Sequence, residues 1–200
     1  MKTIYLVRHG LVEDQTGIFY PATYPMSEGG VRAVQALSEQ LREAGIKPLR
    51  LIASPHVRTR ETAEIIAQTL GLPVVTDERL VEWKVGNWIG KPLAEFRKAA
   101  GYIDPPPFKL KLDDVENFDE MSERVVAVIQ EELTSLPDQG TGMIVGHREP
   151  LVSAILKLRG ETDWHNIPTL DVPKPCAWKL VFDGPTLTEA SKAFDTSGVN

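Results

Sequence analysis

Short apolar segments alternate with helical patterns along the chain, and this alternation limits the possible folds more than any other feature. Strand-type segments lie at residues 3–7, 49–53, 74–76, 143–145, 177–182 and 186–190. Apolar residues recur at helical spacing in two series: Val31, Val34, Leu37 and Leu41, and then Phe118, Met121, Val125, Val128 or Ile129, and Leu133. Strands that alternate with helices form a parallel sheet with helices on both faces.

Local signals add detail to this arrangement. Ser54 followed by Pro55 predicts a helix start, and Gly71 predicts the end of that helix. The pair Asp183-Gly184 predicts a hairpin between the last two strands, which adds an antiparallel strand. We therefore predict one domain over residues 1–200, an α/β fold with three α/β/α layers and a mostly parallel six-stranded sheet with one antiparallel strand. The proline-containing segment 101–117 is predicted to pass over the top of the sheet.

Composition excludes several classes of protein. A hydrophobic fraction of 42% and a charged fraction of 25% are typical of globular proteins. The net charge of −6 argues against a nucleic-acid or membrane-surface partner, because both reward a basic surface. No apolar run approaches the roughly 18 residues of a membrane span. The single cysteine, Cys176, excludes an internal disulfide, and the N-terminus does not resemble a signal peptide, so we expect a cytoplasmic protein.

Ionisable residues lie where the predicted strands end. The first strand ends at Arg8-His9-Gly10, the second at Ser54, and the fourth at Gly146-His147-Arg148, while the third leads to Glu82. Ligands of open α/β sheets bind at the carboxyl ends of the strands. We therefore expect these side chains to form one site.

These residue types suit phosphoryl transfer. A neutral imidazole is a nucleophile near pH 7, and guanidinium groups match the charge of a phosphoryl group. Arg8 lies next to His9, and Arg58 lies in the first turns of the helix predicted after Ser54. Arg60 is about 200° further round that helix and is predicted to face away. No convincing cluster of metal ligands is evident, so we expect a metal-independent enzyme without a cofactor.

The same residues resemble the histidine phosphatase (phosphoglycerate mutase-like) superfamily. The similar segments, in order, are Leu6 to Gly10, Met26 to Gly30, Ser54 to Ala63, Leu80 to Glu82, Gly86 to Gly90 and Val145 to His147. The resemblance implies a phosphoglycerate mutase-like fold and a phosphohistidine intermediate on His9. It also implies that Arg8, Arg58 and His147 bind the phosphate, and that Glu82 donates a proton to the leaving oxygen. Glu78 and Glu13 are rival candidates for that acid.

The sequence also departs from the pattern of the family. Leu11-Val12 stands where a small polar or acidic pair is usual, and Arg148 follows His147 where many relatives have a small residue. Arg148 is predicted either to bind a second anionic group of the substrate or to pair with Glu149. The segment from Ile18 to Tyr24 is predicted to be either a mobile lid or a packed loop.

Three functions agree with this pattern. The first is a phosphatase that acts on a phosphomonoester of a small metabolite. The second is a cofactor-dependent phosphoglycerate mutase, which is disfavoured because those mutases are usually longer and carry a more basic insertion. The third, a catalytically silent binding domain, is disfavoured because His9, Arg8, Arg58, Glu82 and His147 are all present. The expected partner is a small phosphorylated substrate, and a homodimer is left open.

Overall fold

A computed structural model describes residues 1–13, 17–99, 114–161 and 163–199 of the chain. Its six strands are β1 (Lys2–Arg8), β2 (Leu51–Ala53), β3 (Val74–Thr76), β4 (Thr141–Gly146), β5 (Cys176–Asp183) and β6 (Thr186–Asp195). They form one sheet in the order β3-β2-β4-β1-β5-β6, and only β5 runs antiparallel to its neighbours. The predicted mixed sheet is therefore confirmed.

Helices cover both faces of this sheet. They are α1 (Glu28–Glu43), α2 (Val57–Leu70), α3 (Leu93–Ala99), α4 (Phe118–Ser135) and α5 (Arg148–Leu158). Successive side chains of a strand point to opposite faces. In β1, Ile4 and Leu6 accordingly pack with α4 and α5, whereas Tyr5 and Val7 pack with α1 and α2. The three α/β/α layers follow from this alternation.

Two glycines let the N-terminus of α1 approach the loop that follows β1. A Cβ atom on Gly30 would lie 2.1 Å from the carbonyl oxygen of Leu11, and one on Gly10 would lie 2.6 Å from the Sδ atom of Met26. The backbone of Ser27 donates a hydrogen bond to that same Leu11 carbonyl, at 2.9 Å. Helix α1 is therefore packed directly against the loop that follows the first strand.

Several boundaries differ from those predicted. Helix α2 begins at Val57, not at Pro55, because Ser54 to His56 are not helical and His56 is the N-cap residue. The predicted end is correct, with Gly71 in the left-handed conformation at φ 69°. Strand β2 begins at Leu51, not at residue 49, and β6 continues to Asp195. Most of the segment 101–117 lies outside the described residues.

In the described part of the chain, none of the helices is long and apolar enough to cross a membrane.

Candidate active site

Of the predicted residues, Arg8, His9, Arg58 and Glu82 line one cavity of about 310 Å³, whereas His147 is fully buried and does not line it. His9 follows β1, Ser54 follows β2, and His147 follows β4. The rings of His9 and His147 lie 5.2 Å apart, edge to face. The residues that line the cavity are Arg8, His9, Ile18, Phe19, Tyr20, Arg58, Glu82, Trp83, Leu93, Phe96, Glu149 and Lys174.

His9 is held as a neutral ring with a defined tautomer. Its Nδ1 atom lies 2.7 Å from the carbonyl oxygen of Gly10, and because a carbonyl only accepts, Nδ1 carries the proton. The lone pair is therefore on Nε2. Burial lowers the pKa of His9 well below its ordinary range, and the nearby cations Arg58, Lys174 and Arg8 lower it further. This ring can attack an electrophile without first losing a proton.

His147 has the opposite arrangement of its two nitrogens. Its Nδ1 atom lies 3.3 Å from Nη2 of Arg58, which only donates, so Nδ1 accepts. Its Nε2–H then donates to the hydroxyl oxygen of Ser54 at 2.9 Å. Burial, followed by the field of His9, holds the pKa of His147 well below its ordinary range. The ring of His56, 4.9 Å away, packs against His147, so His56 belongs to the wall behind the site.

Two arginines face the nucleophile from different elements. Arg58, in the first turn of α2, is only 1% exposed and donates from Nη1 to the carbonyl oxygen of Pro21 at 3.1 Å. Arg8 donates from Nη1 to the carbonyl oxygen of Val172. In each arginine, the buried Nε–H has no partner within the described residues. Buried donors without partners are rare, and both of these belong to arginines that line the cavity. Arg60 is exposed, as the helical phase predicts.

Glu82 is the predicted acid that the structure brings to this cavity. Its Oε2 atom lies 3.5 Å from Nδ1 of His147, and its Oε1 atom accepts a hydrogen bond from the backbone of Trp83 at 2.9 Å. Burial raises the pKa of Glu82 to about 7, with a further contribution from the negative charge of Glu149. The rivals Glu78 and Glu13 do not line the cavity.

Lys174 is a positively charged residue that lines the cavity and that the sequence does not predict. It carries no hydrogen bond or ion pair within the described residues, and its Nζ atom lies 5.4 Å from the centre of the Tyr20 ring. Burial lowers its pKa to about 8, and the charge of Arg8 contributes further. No motif surrounds Lys174 in the sequence, so only the fold reveals its position.

Arg148 does not line the cavity, although its neighbour Glu149 does. Its guanidinium lies 3.2 Å from Oε1 of Glu149 and donates to the carbonyl oxygens of Ile167 and Leu170 at 3.2 and 3.4 Å. This arrangement matches the alternative in which Arg148 pairs with Glu149 and supports the loop, and it gives no support to binding of a second substrate anion.

The remaining wall of the cavity is aromatic. Phe19, Trp83 and Phe96 contact one another edge to face, with ring centres 5.1 to 6.1 Å apart. The backbone carbonyl of Phe19 accepts a hydrogen bond from Gly90 at 2.8 Å, which ties the segment after residue 17 to the chain that precedes α3. These contacts match a packed loop. Trp88 also packs on Phe96, at 5.4 Å.

The described residues contain no group of three or more His, Cys, Asp or Glu side chains arranged to hold a metal ion.

Comparisons with known proteins agree with this geometry. A sequence model of the histidine phosphatase superfamily (branch 1) matches residues 4–190. The probable phosphoglycerate mutase GpmB of Proteus mirabilis is 33% identical over 156 residues, which cover 74% of this chain and 70% of that protein. The 2,3-bisphosphoglycerate-dependent phosphoglycerate mutase of Thermoplasma acidophilum is 30% identical over 161 residues, which cover 78% and 75%.

Solved structures share the fold. The mycobacterial glucosyl-3-phosphoglycerate phosphatase superposes with a TM-score of 0.80 at 20% identity, covering 96% of this chain and 97% of that one.

Proposed function

Because the chain belongs to the histidine phosphatase superfamily (branch 1), we propose that it hydrolyses a phosphomonoester of a small molecule through a phosphohistidine on His9. The observation that carries the proposal is the state of His9: a buried neutral ring whose Nδ1–H is bound to Gly10, leaving the lone pair on Nε2. The free Nε–H groups of Arg8 and Arg58 belong to side chains that border the same cavity. A nucleophile surrounded by unsatisfied cationic donors suits a phosphoryl group.

The first half of the reaction transfers the phosphoryl group to the enzyme. Nε2 of His9 attacks phosphorus, a nitrogen–phosphorus bond forms, and the bond to the leaving oxygen breaks. The protonated carboxyl of Glu82 gives its proton to that oxygen, so the product leaves as an alcohol. A pKa of about 7 keeps a substantial fraction of Glu82 protonated near neutral pH, and a bound phosphate dianion favours protonation further.

The second half returns the enzyme to its starting state. The carboxylate of Glu82 takes a proton from a water molecule, and the oxygen of that water attacks phosphorus. The nitrogen–phosphorus bond breaks, its electron pair returns to Nε2 of His9, and inorganic phosphate leaves. Arg8, Arg58 and Lys174 stabilise the charge on the equatorial oxygens in both halves, while His147 accepts a hydrogen bond from Arg58 and holds that arginine in place.

The wall of the cavity favours a phosphatase over a mutase. A mutase of phosphoglycerate must hold a second acidic group of its substrate away from the transferred phosphate. However, the cavity is also lined by Ile18, Phe19, Trp83, Leu93 and Phe96, which offer apolar contact. A leaving group with an apolar body fits this wall better than a carboxylate does. The mutase remains the second candidate, because the relatives in Proteus mirabilis and Thermoplasma acidophilum are mutases by name.

A paired assay tests the proposal. We expect release of inorganic phosphate from an aryl phosphate, undiminished by excess chelator, because Arg8, Arg58 and Lys174 supply the positive charge that a metal would otherwise provide. The same preparation is then given 3-phosphoglycerate with catalytic 2,3-bisphosphoglycerate. Formation of 2-phosphoglycerate faster than release of phosphate would replace the phosphatase with the mutase.

A further inference from the structure

We propose that Arg124 is a positioning residue for the general acid Glu82, acting through the backbone of the segment that carries it. The inference rests on the proposed function, since it assigns Arg124 a part in proton donation to the leaving group. Arg124 lies on α4, outside the residues that line the cavity, so it acts without touching the substrate.

One guanidinium binds three carbonyl groups around Glu82. Nη1 of Arg124 donates to the carbonyl oxygen of Arg79 at 2.6 Å and to that of Val81 at 2.8 Å. Nη2 donates to the carbonyl oxygen of Glu82 itself at 3.2 Å. Arg79 and Leu80 belong to a single 3-10 turn, and Val81 and Glu82 belong to no helix or strand, so Arg124 supplies the hydrogen bonds that a longer element would provide.

Glu116 completes this arrangement from the other side. Its carboxylate accepts hydrogen bonds from Nε of Arg124 at 2.5 Å and from Nη2 at 2.8 Å, which makes a two-point ion pair. The side chain of Glu116 is 6% exposed and that of Arg124 is 10% exposed. The backbone of Glu116 bonds to the residues after Glu82: its N–H donates to the carbonyl of Lys84, and its carbonyl accepts from the indole of Trp83 at 2.7 Å. Both sides of Glu82 are thus fixed to the Arg124–Glu116 pair.

Only the planar guanidinium group of an arginine can make all of these hydrogen bonds at once. Five fixed N–H donors reach the carboxylate and the three carbonyls at once, whereas a lysine has one nitrogen with three donors and cannot span them. Loss of these donors would leave partly buried carbonyl groups without hydrogen bonds and let the segment shift. Proton transfer in a transition state requires hydrogen-bond distance, so a shift of Glu82 would weaken acid catalysis while His9 stays in place.

The test compares leaving groups in the variant Arg124→Lys. An alkyl phosphate needs a proton on its leaving oxygen, whereas a dinitrophenyl phosphate leaves as a stable anion and hardly needs one. We expect kcat/KM to fall about tenfold to a hundredfold for the alkyl substrate and less than about threefold for the aryl substrate. The control Arg79→Lys alters an arginine of the same segment that forms surface ion pairs with Asp77 and Glu131, and it should spare both substrates.

A double-mutant cycle separates positioning from general damage. In a Glu82→Gln background there is no acid to position, so adding Arg124→Lys should cost less than about threefold on the alkyl substrate. If Arg124→Lys fails to fold, Glu116→Gln takes its place in the test. This variant weakens the ion pair and should show the same selective loss to a smaller degree. Equal losses on both substrates, or full additivity with Glu82→Gln, would overturn the inference while the proposed function stands. If the unaltered protein turns over neither substrate, the proposed function fails and the inference falls with it.

Discussion

The two histidines of the site are held in opposite states by their hydrogen bonds. In His9 the Nδ1 atom donates to a backbone carbonyl, whereas in His147 the same atom accepts from Arg58. Both rings are buried and neutral, because their pKa values are lowered mainly by burial. One ring therefore offers a lone pair to phosphorus. The other is fixed between Arg58 and Ser54, with both ring nitrogens already in hydrogen bonds.

Lys174 permits a prediction at the scale of one residue. Its ammonium group borders the cavity without an ion pair within the described residues, so we expect it to bind the phosphoryl oxygens. Lys174→Met should lower kcat/KM for an aryl phosphate about tenfold to a hundredfold, the scale of one charge-assisted hydrogen bond. Lys179→Met, on the strand that follows, removes a lysine outside the cavity and should leave the rate unchanged. Equal rates for the two variants would exclude Lys174 from the phosphate site.

The sequence predicts the site residues that a strand end or a helical phase positions, and it does not predict Lys174. His9, Ser54 and His147 are predictable because parallel strands bring their carboxyl ends to one edge. Arg58 is predictable from the helical phase. Lys174 lies in an irregular segment, where neither periodicity nor motif gives a direction. Adjacency alone puts Arg148 beside His147, but the first turn of α5 directs its guanidinium to backbone carbonyls outside the cavity.

At the scale of elements, the position of the nucleophile depends on how α1 meets the loop after β1. Gly30 lies in the first turn of α1 and is packed against Leu11, two residues after His9. A Cβ atom on the neighbouring Gly29 would make only ordinary van der Waals contacts, with Nη2 of Arg32 at 3.8 Å and Oγ of Ser27 at 3.9 Å. The two adjacent glycines therefore differ sharply in the space around them.

This difference yields a matched pair of substitutions. In Gly30→Ala the new methyl group would lie 2.1 Å from the carbonyl oxygen of Leu11, so helix and loop must move apart. We expect a loss of about 1–3 kcal/mol in the free energy of unfolding, and reduced turnover because His9 shifts with the loop. Gly29→Ala should leave both unchanged or raise stability slightly. Denaturant unfolding of the two variants checks this, and similar stabilities would contradict the proposed packing.

Element type is predictable from periodicity, while element ends are less so. The apolar spacings of α1 and α4 define their buried faces, and both Val128 and Ile129 of α4 are buried. The predicted start of α2 is wrong because Ser54 and Pro55 are a common helix start, yet here the hydroxyl of Ser54 accepts from His147. A tertiary contact in the active site thus displaces a local capping signal.

For the molecule as a whole, the buried histidines make stability depend on pH. Folding lowers the pKa values of His9 and His147, and it lowers the pKa of His56 to about 4. Near and below pH 6.5, the unfolded chain therefore binds protons on these histidines that the native state does not bind. Stability should therefore fall as pH falls from 7 to 5.5. Glu82 has the opposite effect on stability. Its pKa is raised to about 7 in the folded state, so as the pH falls the folded state binds this proton before the unfolded chain does.

Three histidines outweigh one carboxyl group, so we expect the free energy of unfolding to drop by roughly 2 kcal/mol between pH 7 and pH 5.5. Urea unfolding in phosphate-free buffer measures this drop. The variant Glu82→Gln lacks the opposing proton uptake and should show a steeper drop over the same interval. A stability that rises towards pH 5.5, or a shallower drop in the variant, would contradict the assigned pKa directions.

The central claim is that His9 carries the phosphoryl group, and trapping the phosphoenzyme tests it most directly. The protein is mixed with an aryl phosphate, denatured in base within the first turnovers to preserve a phosphoramidate, and digested for mass spectrometry. We predict a phosphate on the peptide that contains His9, attached to that ring, and none in His9→Ala. His56→Ala serves as the control, because His56 lies behind the site and should leave the labelling of His9 intact. Phosphate on another residue, or undiminished turnover by His9→Ala, would contradict the account.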